Sequence, residues 1–318
     1  MSTIAPVSAD CWFLSGPTAS GKTPIGIELA QRLNAEIISM DSMAVYRGLD
    51  IGTAKPSLAE RQRVPHHLID CLDPGEEFSL ASFLHAAHRA IDEITSRGRQ
   101  VLFVGGTPLY LKSLLRGIFE GPPADWELRS RLKEEAAAGP PGLLHARLQS
   151  IDPQAAEKLH ASDTRRLIRA IEVFEKTGRP ISAWQQQFAT GRSAEECRVF
   201  VLAWPREQLQ ERINARVDQM FQAGLVDEVA TLLNQGVRLS STASQALGYR
   251  EVVEHLSGGP NLSETIELVK TRTRQFAKRQ ETWFRSLSEC RRVPLDDSME
   301  PLLQLDIEGI VAFPRPIL

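Results

Sequence analysis

The chain has 318 residues, of which 42% are hydrophobic and 24% charged, with a formal net charge of −3. That composition excludes a disordered or fibrous protein and leaves room for a large core plus a second module. Met1 to Asp10 lacks the basic and apolar segments of a signal peptide, and no apolar run approaches the ~18 residues of a membrane span, so a cytoplasmic protein with no membrane role is expected.

The first predicted element is the apolar run Cys11 to Leu14, a short strand. Directly after it, Gly16-Pro17-Thr18-Ala19-Ser20-Gly21-Lys22-Thr23 spells a complete phosphate-binding loop. Gly16 and Gly21 let the backbone curl so that successive N–H groups point at an anion. Lys22 adds a point charge, and Thr23 offers a hydroxyl to the phosphate or its Mg²⁺. Ile25 to Leu33 has helical spacing, so a helix N-terminus faces the same anion. Pro24 falls in the first helical turn, where proline is tolerated. A glycine-rich turn without chemistry is the simpler alternative, but eight matching positions between a strand and a helix outweigh it. The loop predicts binding of a di- or triphosphate.

A second strand is predicted at Glu36 to Ser39, ending in Met40-Asp41-Ser42. An acid placed there can be a Mg²⁺ ligand, a general base or a cap for the following turn. His67 to Asp70 reads as a short third strand. Ser79 to Arg97 reads as an amphipathic helix with a serine N-cap. Val101 to Val104 is a strand buried on both faces, ending in Gly105-Gly106-Thr107. Thr107 stands where a Walker B aspartate would be expected in an ATPase, which argues against simple NTP hydrolysis. Arg198 to Ala203 is a further central strand. Alternating strands and helices predict an α/β fold, a parallel sheet core of the P-loop NTPase kind with its ligands at the carboxyl ends of the strands.

Between those last two strands, Gly117 to Gly191 carries helical patterns at Trp126–Ala138, Gly142–Ser150, Pro153–His160 and Asp163–Thr177, with no convincing strand. The expected organisation is therefore a core of residues 1–117 and 192–318 and an all-helical insertion domain of residues 118–191. After Trp204-Pro205 the chain again reads as helical, over Glu211–Ala223, Leu225–Gln235, Ala243–Leu256 and Ser263–Leu287, and the final ~30 residues as loosely structured. Arg212 and Arg216 lie four apart and share a helix face; one could close over a diphosphate, or both could make surface salt bridges. The cysteines Cys11, Cys71, Cys197 and Cys290 are scattered and predict reduced thiols rather than a metal site.

From Lys270 to Arg292 there are eight basic residues against Glu281 and Glu289, a local charge of +6 in an acidic protein. On a helical wheel Lys270, Arg274, Lys278 and Arg285 share one arc, while Val269, Phe276, Trp283 and Leu287 cluster elsewhere. One packed face and one cationic face favour a nucleic-acid contact over an ordinary solvated helix.

Longer motifs carry a resemblance. Asp41-Ser-Met-Ala-Val-Tyr46-Arg-Gly-Leu-Asp50-Ile-Gly-Thr-Ala-Lys55-Pro56 follows the phosphate loop. After it come Pro65-His-His-Leu-Ile-Asp70, Val104-Gly-Gly-Thr-Pro-Leu-Tyr110 and Arg165-Arg166-Leu167-Ile168-Arg169. Gly224-Leu-Val-Asp-Glu-Val229, Gln245-Ala246-Leu247-Gly248-Tyr249-Arg250 and Lys278-Arg279-Gln280-Glu281-Thr282-Trp283-Phe284-Arg285 complete the series. Together they resemble the tRNA dimethylallyltransferase, or isopentenyl-tRNA transferase, family over most of residues 14 to 288.

The resemblance implies transfer of a dimethylallyl group from dimethylallyl diphosphate to N6 of the adenine just 3′ of the anticodon, with diphosphate leaving. It assigns Lys22, Asp41, Thr107 and Arg216 to catalysis. Asp41 would orient and deprotonate the amine, Thr107 would hold the extruded adenine, and Arg216 would close on the diphosphate. RNA contacts carried over by position are Asp41, Ser42, Met43, Ala44, Thr107, Arg129, Arg165 to Arg169, Gln245 to Arg250 and Lys278 to Arg285. The helical insertion would clamp the anticodon stem-loop of the tRNA. Mg²⁺ is the implied cofactor, met by Thr23 through phosphate, and a monomer is the family expectation. The Cys/His finger of eukaryotic relatives is missing, which implies the bacterial type without zinc. The phosphate loop would ordinarily be read as ATP-binding, whereas this chemistry uses a prenyl diphosphate. A small-metabolite or nucleotide kinase, a non-catalytic tRNA-binding protein and a cytokinin-type enzyme prenylating free AMP or ADP are the alternatives.

Overall fold

The computed structural model describes residues 3–185, 191–296 and 310. The chain divides into two compact units, one of Met1–Pro6 and Arg116–Gly191, the other of Val7–Leu115 and Arg192–Leu318. In chain order, β1 (Thr3–Ile4) belongs to the smaller unit. The larger unit begins with β2 (Trp12–Ser15), α1 (Lys22–Leu33), β3 (Ala35–Ser39), α2 (Leu58–Arg63), β4 (His66–His67), α3 (Leu80–Ser96), β5 (Gln100–Gly105) and α4 (Pro108–Arg116). The smaller unit resumes with β6 (Ile118–Phe119), α5 (Trp126–Ala138), α6 (Leu143–Ile151), α7 (Pro153–Lys158), α8 (Thr164–Thr177) and α9 (Ile181–Gln185). The larger unit is completed by β7 (Val199–Ala203), α10 (Arg206–Gln222), α11 (Leu225–Asn234), α12 (Tyr249–Leu256), α13 (Leu262–Arg285) and β8 (Cys290–Pro294).

The larger unit is an α/β structure on a six-stranded sheet of order β4-β3-β5-β2-β7-β8, in which every neighbouring pair is parallel. β2 and β3 are buried along their whole length, as strands covered on both faces must be. Register sets Ser15 opposite Gly105 and Ser39 opposite Val104, so three adjacent strands end at one level. That level is where such a sheet presents its loops to ligands.

In the smaller unit α5 to α8 pack on Leu128, Leu132, Leu144, Leu148, Leu167 and Ile171. The starts of α5, α7 and α8 are set by aspartate caps: Asp125, Asp152 and Asp163 each accept a backbone N–H three residues on, and Pro153 follows the second at the first helical position.

Four expectations need correction. The third strand is only two residues long, because Leu68 and Asp70 take left-handed backbone (φ 60° and 54°) that ends extended pairing. Residues 118–191 are not free of strand: β6 pairs antiparallel with β1, which draws the first residues of the chain into the insertion's unit. The helix expected over Ala243–Leu256 is broken into a 3-10 turn at Ala243–Gln245 and α12, since Gly248 adopts φ 89° between them. The tail is not wholly irregular, because β8 pairs with β7 at the sheet edge. The rest of that expectation, over 297–309 and 311–318, lies outside the described residues, as does 186–190 of the insertion.

Candidate active site

The phosphate loop leaves the end of β2, where the Ser15 hydroxyl donates to the Gly105 carbonyl at 2.8 Å and ties the loop's entrance to β5. Gly16 adopts φ 151°, and a Cβ there would lie 2.8 Å from Ser20 Oγ and 3.1 Å from the Leu202 carbonyl oxygen, so only glycine fits. Ala19 and Gly21 are also left-handed, and α1 starts at Lys22 with its free N–H groups toward the loop. Pro24 is exposed in the first turn of α1, where it costs no hydrogen bond.

Lys22 Nζ donates to the carbonyls of Gly16 at 3.0 Å and Pro17 at 2.7 Å. Although part of its surface stays exposed, its ammonium is pushed down to about 7, first by desolvation and then by the nearby Arg216 guanidinium, with Asp41 opposing both. Arg216 is likewise lowered by burial, with Asp41 again the counterweight. Lys22 of α1, Arg216 of α10 and Asp41 after β3 thus share one electrostatic field. Among the described residues Arg216 makes one hydrogen bond, a 3.5 Å contact from Nη2 to the Thr53 carbonyl, and its buried Nε has no acceptor.

Asp41 accepts the N–H of Met43 at 2.8 Å and, more weakly, that of Ala44 at 3.4 Å, all through Oδ1. Oδ2 has no hydrogen-bond partner among the described residues. Thr107, past the end of β5, accepts the Ser42 N–H at 3.3 Å, and its own N–H donates to the Met40 carbonyl at 3.2 Å. A Cβ on Gly105 would fall 2.3 Å from the Met40 carbonyl, which is why the two strand ends can approach so closely. The arrangement is an anion cradle lined with two half-buried cations, next to a carboxylate and a hydroxyl held on neighbouring strand ends.

The surroundings hold these groups in place. Arg212 donates to the Ala19 carbonyl at 3.1 Å and lies 4.1 Å over the Trp204 ring, while the Trp204 indole N–H reaches the Ser20 carbonyl at 3.1 Å. Arg212 therefore braces the loop from outside. The Asp41–Pro56 segment is a folded bracket. Glu228 accepts the Asp50 and Ile51 N–H groups and, at 2.5 Å, the Tyr249 hydroxyl, and Tyr249 accepts the Gly52 N–H. Lys55, buried, bonds the Tyr46 carbonyl, Asp50 and Asp70. Its far end delivers Thr53 to Arg216.

The residues expected to touch RNA separate into two groups. Lys278, Arg279 and Thr282 of α13, Arg285 at its end, Arg165 and Arg166 of α8, and Gln245 and Arg250 are exposed. Glu281 and Leu247 are half-buried. The side chains of Ala44, Leu167, Ile168, Ala246, Tyr249, Gln280 and Phe284 are instead buried, so they hold elements together rather than face a ligand. The packed seam of α13 runs through Val269, Ala277, Gln280 and Phe284; Phe276 and Trp283, expected in the core, are only half-buried. Two cations of the basic run are already paired, Lys270 with Asp218 and Arg272 with Glu251. Arg129 is committed as well, to both carboxylate oxygens of Glu172, and Arg169 bonds the same Glu172 and the Pro122 carbonyl.

Sequence reading gave Glu228 and Lys55 no role of their own and missed the inward role of Gln280; Arg212, considered for closure over a diphosphate or a surface salt bridge, instead bonds the loop's Ala19 carbonyl. The readable signal for Gln280 was a polar residue interrupting the apolar seam Val269–Ala277–Phe284.

Among the described residues no three His, Cys, Asp or Glu side chains gather as a metal site. The donors by the loop, the Thr23 hydroxyl and the Asp41 carboxylate, match a magnesium ion held largely by phosphate oxygens and water rather than a protein cage.

Residues 44–287 match the family model described as IPP transferase. The tRNA dimethylallyltransferase of Rhodopirellula baltica is 48% identical over 296 residues, spanning 91% of this chain and 89% of its own. That of Geobacter metallireducens is 47% identical over 290 residues, spanning 91% and 94%. The crystal structure of the full-length tRNA isopentenylpyrophosphate transferase from Bacillus halodurans aligns with TM-score 0.70 at 39% identity over 96% of both chains. A eukaryotic dimethylallyltransferase captured acting on tRNA aligns with TM-score 0.74 at 29% identity, over 90% of this chain and 74% of that one.

Proposed function

The chain belongs to the IPP transferase family, and on that premise we propose that its phosphate loop is the seat of a prenyl transfer from dimethylallyl diphosphate to tRNA. As a tRNA dimethylallyltransferase it joins the dimethylallyl group to N6 of the adenine 3′-adjacent to the anticodon. The N6–C1 bond forms as the C1–O bond breaks, the amine proton passes to a base, and diphosphate departs.

Each role follows from chemistry at a named group. Charge develops on the bridging oxygen as the bond breaks, and donors already oriented toward that point stabilise it without reorganising. The loop N–H groups, Lys22 and Arg216 are such donors. Asp41 takes the N6 proton through Oδ2, its Oδ1 being held by the turn. Thr107 accepts the Ser42 N–H on one of its two lone pairs, and its hydroxyl proton is left to donate to the adenine. Extruding that base from the loop costs a few kcal/mol and favours unpaired bases. Magnesium, when bound through Thr23 and the phosphates, would neutralise part of the diphosphate charge. The exposed cations Lys278, Arg279, Arg285, Arg165 and Arg166 supply the RNA contacts, and the protein acts as a monomer.

The observation that carries this reading is Arg216, a half-buried arginine whose buried Nε has no partner among the described residues, in the field of Lys22 and Asp41. The test is transfer of label from dimethylallyl diphosphate to unmodified tRNA or to free AMP. Label in tRNA is expected. Label in AMP alone would favour the cytokinin-type enzyme, and transfer to neither would return the loop to a kinase.

A further inference from the structure

Gln280 lies inside a run of cations, yet its side chain is 3% exposed and points away from them. Its Oε1 accepts the Thr18 N–H at 2.9 Å, in the phosphate loop. Its Nε2 donates to the Gly106 carbonyl at 2.5 Å, one residue before Thr107. A Cβ on Gly106 would lie 2.8 Å from Gln280 Nε2, 3.2 Å from the Gly16 carbonyl oxygen and 3.5 Å from Lys22 Nζ. Three pieces of the site therefore converge where the amide sits.

We propose that Gln280 is a positioning residue, which sets the distance between the diphosphate cradle and the Thr107 hydroxyl. This rests on the reading of the site given above. The two groups serve different substrates: the loop holds the leaving group, and Thr107 the nucleophilic base. Transfer requires those substrates at reacting distance, and a displacement of about 1 Å costs on the order of 10²-fold in rate. Ser15 ties the loop's entrance to Gly105, but among the described residues the link from Thr18 inside the loop to Gly106 is this one side chain, so its chemistry is constrained. It must accept at one end and donate at the other while uncharged, and only a primary amide of this length does so. Asparagine is one methylene too short. Glutamate would set a carboxylate against the Gly106 carbonyl.

The test compares wild type with Gln280→Met, which keeps volume and loses both hydrogen bonds, and with Gln275→Met, a change at an exposed site on the same helix. In steady-state transfer to tRNA, folded Gln280→Met is expected to lose about 10- to 10²-fold in kcat per folded molecule, with KM for dimethylallyl diphosphate nearly unchanged and the melting temperature lowered by the two lost hydrogen bonds. Gln275→Met should match wild type. A folded Gln280→Met enzyme with wild-type kcat overturns the proposal, as does a loss confined to KM. Should the methionine variant fail to fold, Gln280→Glu decides. Its kcat relative to wild type must be low at neutral pH and recover as acid restores an O–H donor toward Gly106. Lys22 is the charge set against this spot, a Cβ on Gly106 falling 3.5 Å from its Nζ; a new carboxylate holds that ammonium protonated, so the recovery in acid reads the glutamate itself. A pH-independent ratio overturns the proposal. Absence of transfer by wild type would instead overturn the functional reading, so the two failures are distinguishable.

Discussion

Arg216 of the larger unit and Arg129 of the smaller sit on helices against protein rather than water, and they are used in opposite ways. Arg129 places Nε and Nη2 at 2.8 Å from the two oxygens of Glu172. Glu172 is fully buried and also accepts the Asp125 N–H and Arg169. Burial by itself would raise that carboxyl, but the hydrogen bonds from Arg129, Asp125 and Arg169 hold it below its ordinary value. Among the described residues Arg216 has no such carboxylate bonded to it, and its Nε stands without an acceptor. A guanidinium with both edges satisfied is committed to the fold. One desolvated without a bonded anion weakens the fold and is available to an anionic ligand.

If this distinction is right, the two arginines fail differently when removed. Arg216→Ala should cost about 10²- to 10³-fold in kcat for prenyl transfer, roughly 3 to 4 kcal/mol of transition-state stabilisation. The melting temperature should stay level or rise, since an uncompensated buried charge is gone. Arg216→Lys should not rescue, because a point charge cannot replace the fork. A normal rate in Arg216→Ala would break the comparison at its stronger end.

Arg129→Ala should act through stability, leaving the buried Glu172 charge partly unpaired at a cost of about 3 kcal/mol, read by denaturant titration. Per folded molecule, the transfer rate should be nearly unchanged. A selective loss of tRNA affinity with full stability would show instead that Arg129 meets RNA.

How much of this was legible in the sequence follows the same line between local and distant chemistry. The phosphate loop, Asp41 after β3 and Thr107 after β5 could be placed because each depends on a strand followed by a short run of residues. Four helices of the insertion were readable for the same reason, from their spacing and the Gly/Pro breaks between them. Pairings between distant residues were not. Nothing near Glu172 marks it as the partner of Arg129, and nothing near Gln280 shows that it reaches Thr18 and Gly106. Helical spacing located an arc of cations on α13 but not that Asp218 and Glu251, from α10 and α12, neutralise Lys270 and Arg272. It also chose the bulky aromatics Phe276 and Trp283 for the core, where the seam instead takes Ala277 and Gln280, small or hydrogen-bonded side chains that let α13 approach the loop closely.

Lys22 extends the comparison to pH. Its folded value of about 7 lies below the ~10.4 of an unfolded lysine, so the unfolded chain binds more protons between those limits and stability rises with pH across that window. Binding an anion should reverse the depression. Above pH 7 the free protein must then take up a proton as it binds inorganic diphosphate, and affinity should fall toward tenfold per pH unit. Calorimetry in buffers of different ionisation enthalpy reads that uptake, and Lys22→Met should abolish it. Equal proton uptake in the variant would assign it to the ligand.

The smallest effect belongs to the exposed cations, and it tests the distinction within one helix. Lys278 and Arg285 are exposed, whereas Lys270 and Arg272 are held by acidic partners. Each lysine or arginine that neutralises an RNA phosphate contributes about 0.7 to 0.9 to the slope of log affinity against log salt. Lys278→Ala with Arg285→Ala should therefore flatten that slope by about 1.5, weakening tRNA binding mainly at low salt and leaving kcat at saturating tRNA near wild type. Lys270→Ala should leave the slope alone, because its ammonium is held by Asp218 and Glu267 and neutralises no phosphate. If both sets flatten the slope equally, then ion pairing within the fold does not decide which cations meet RNA. If only the unpaired set does, the rule that separates Arg216 from Arg129 in the interior also sorts the cations at the surface.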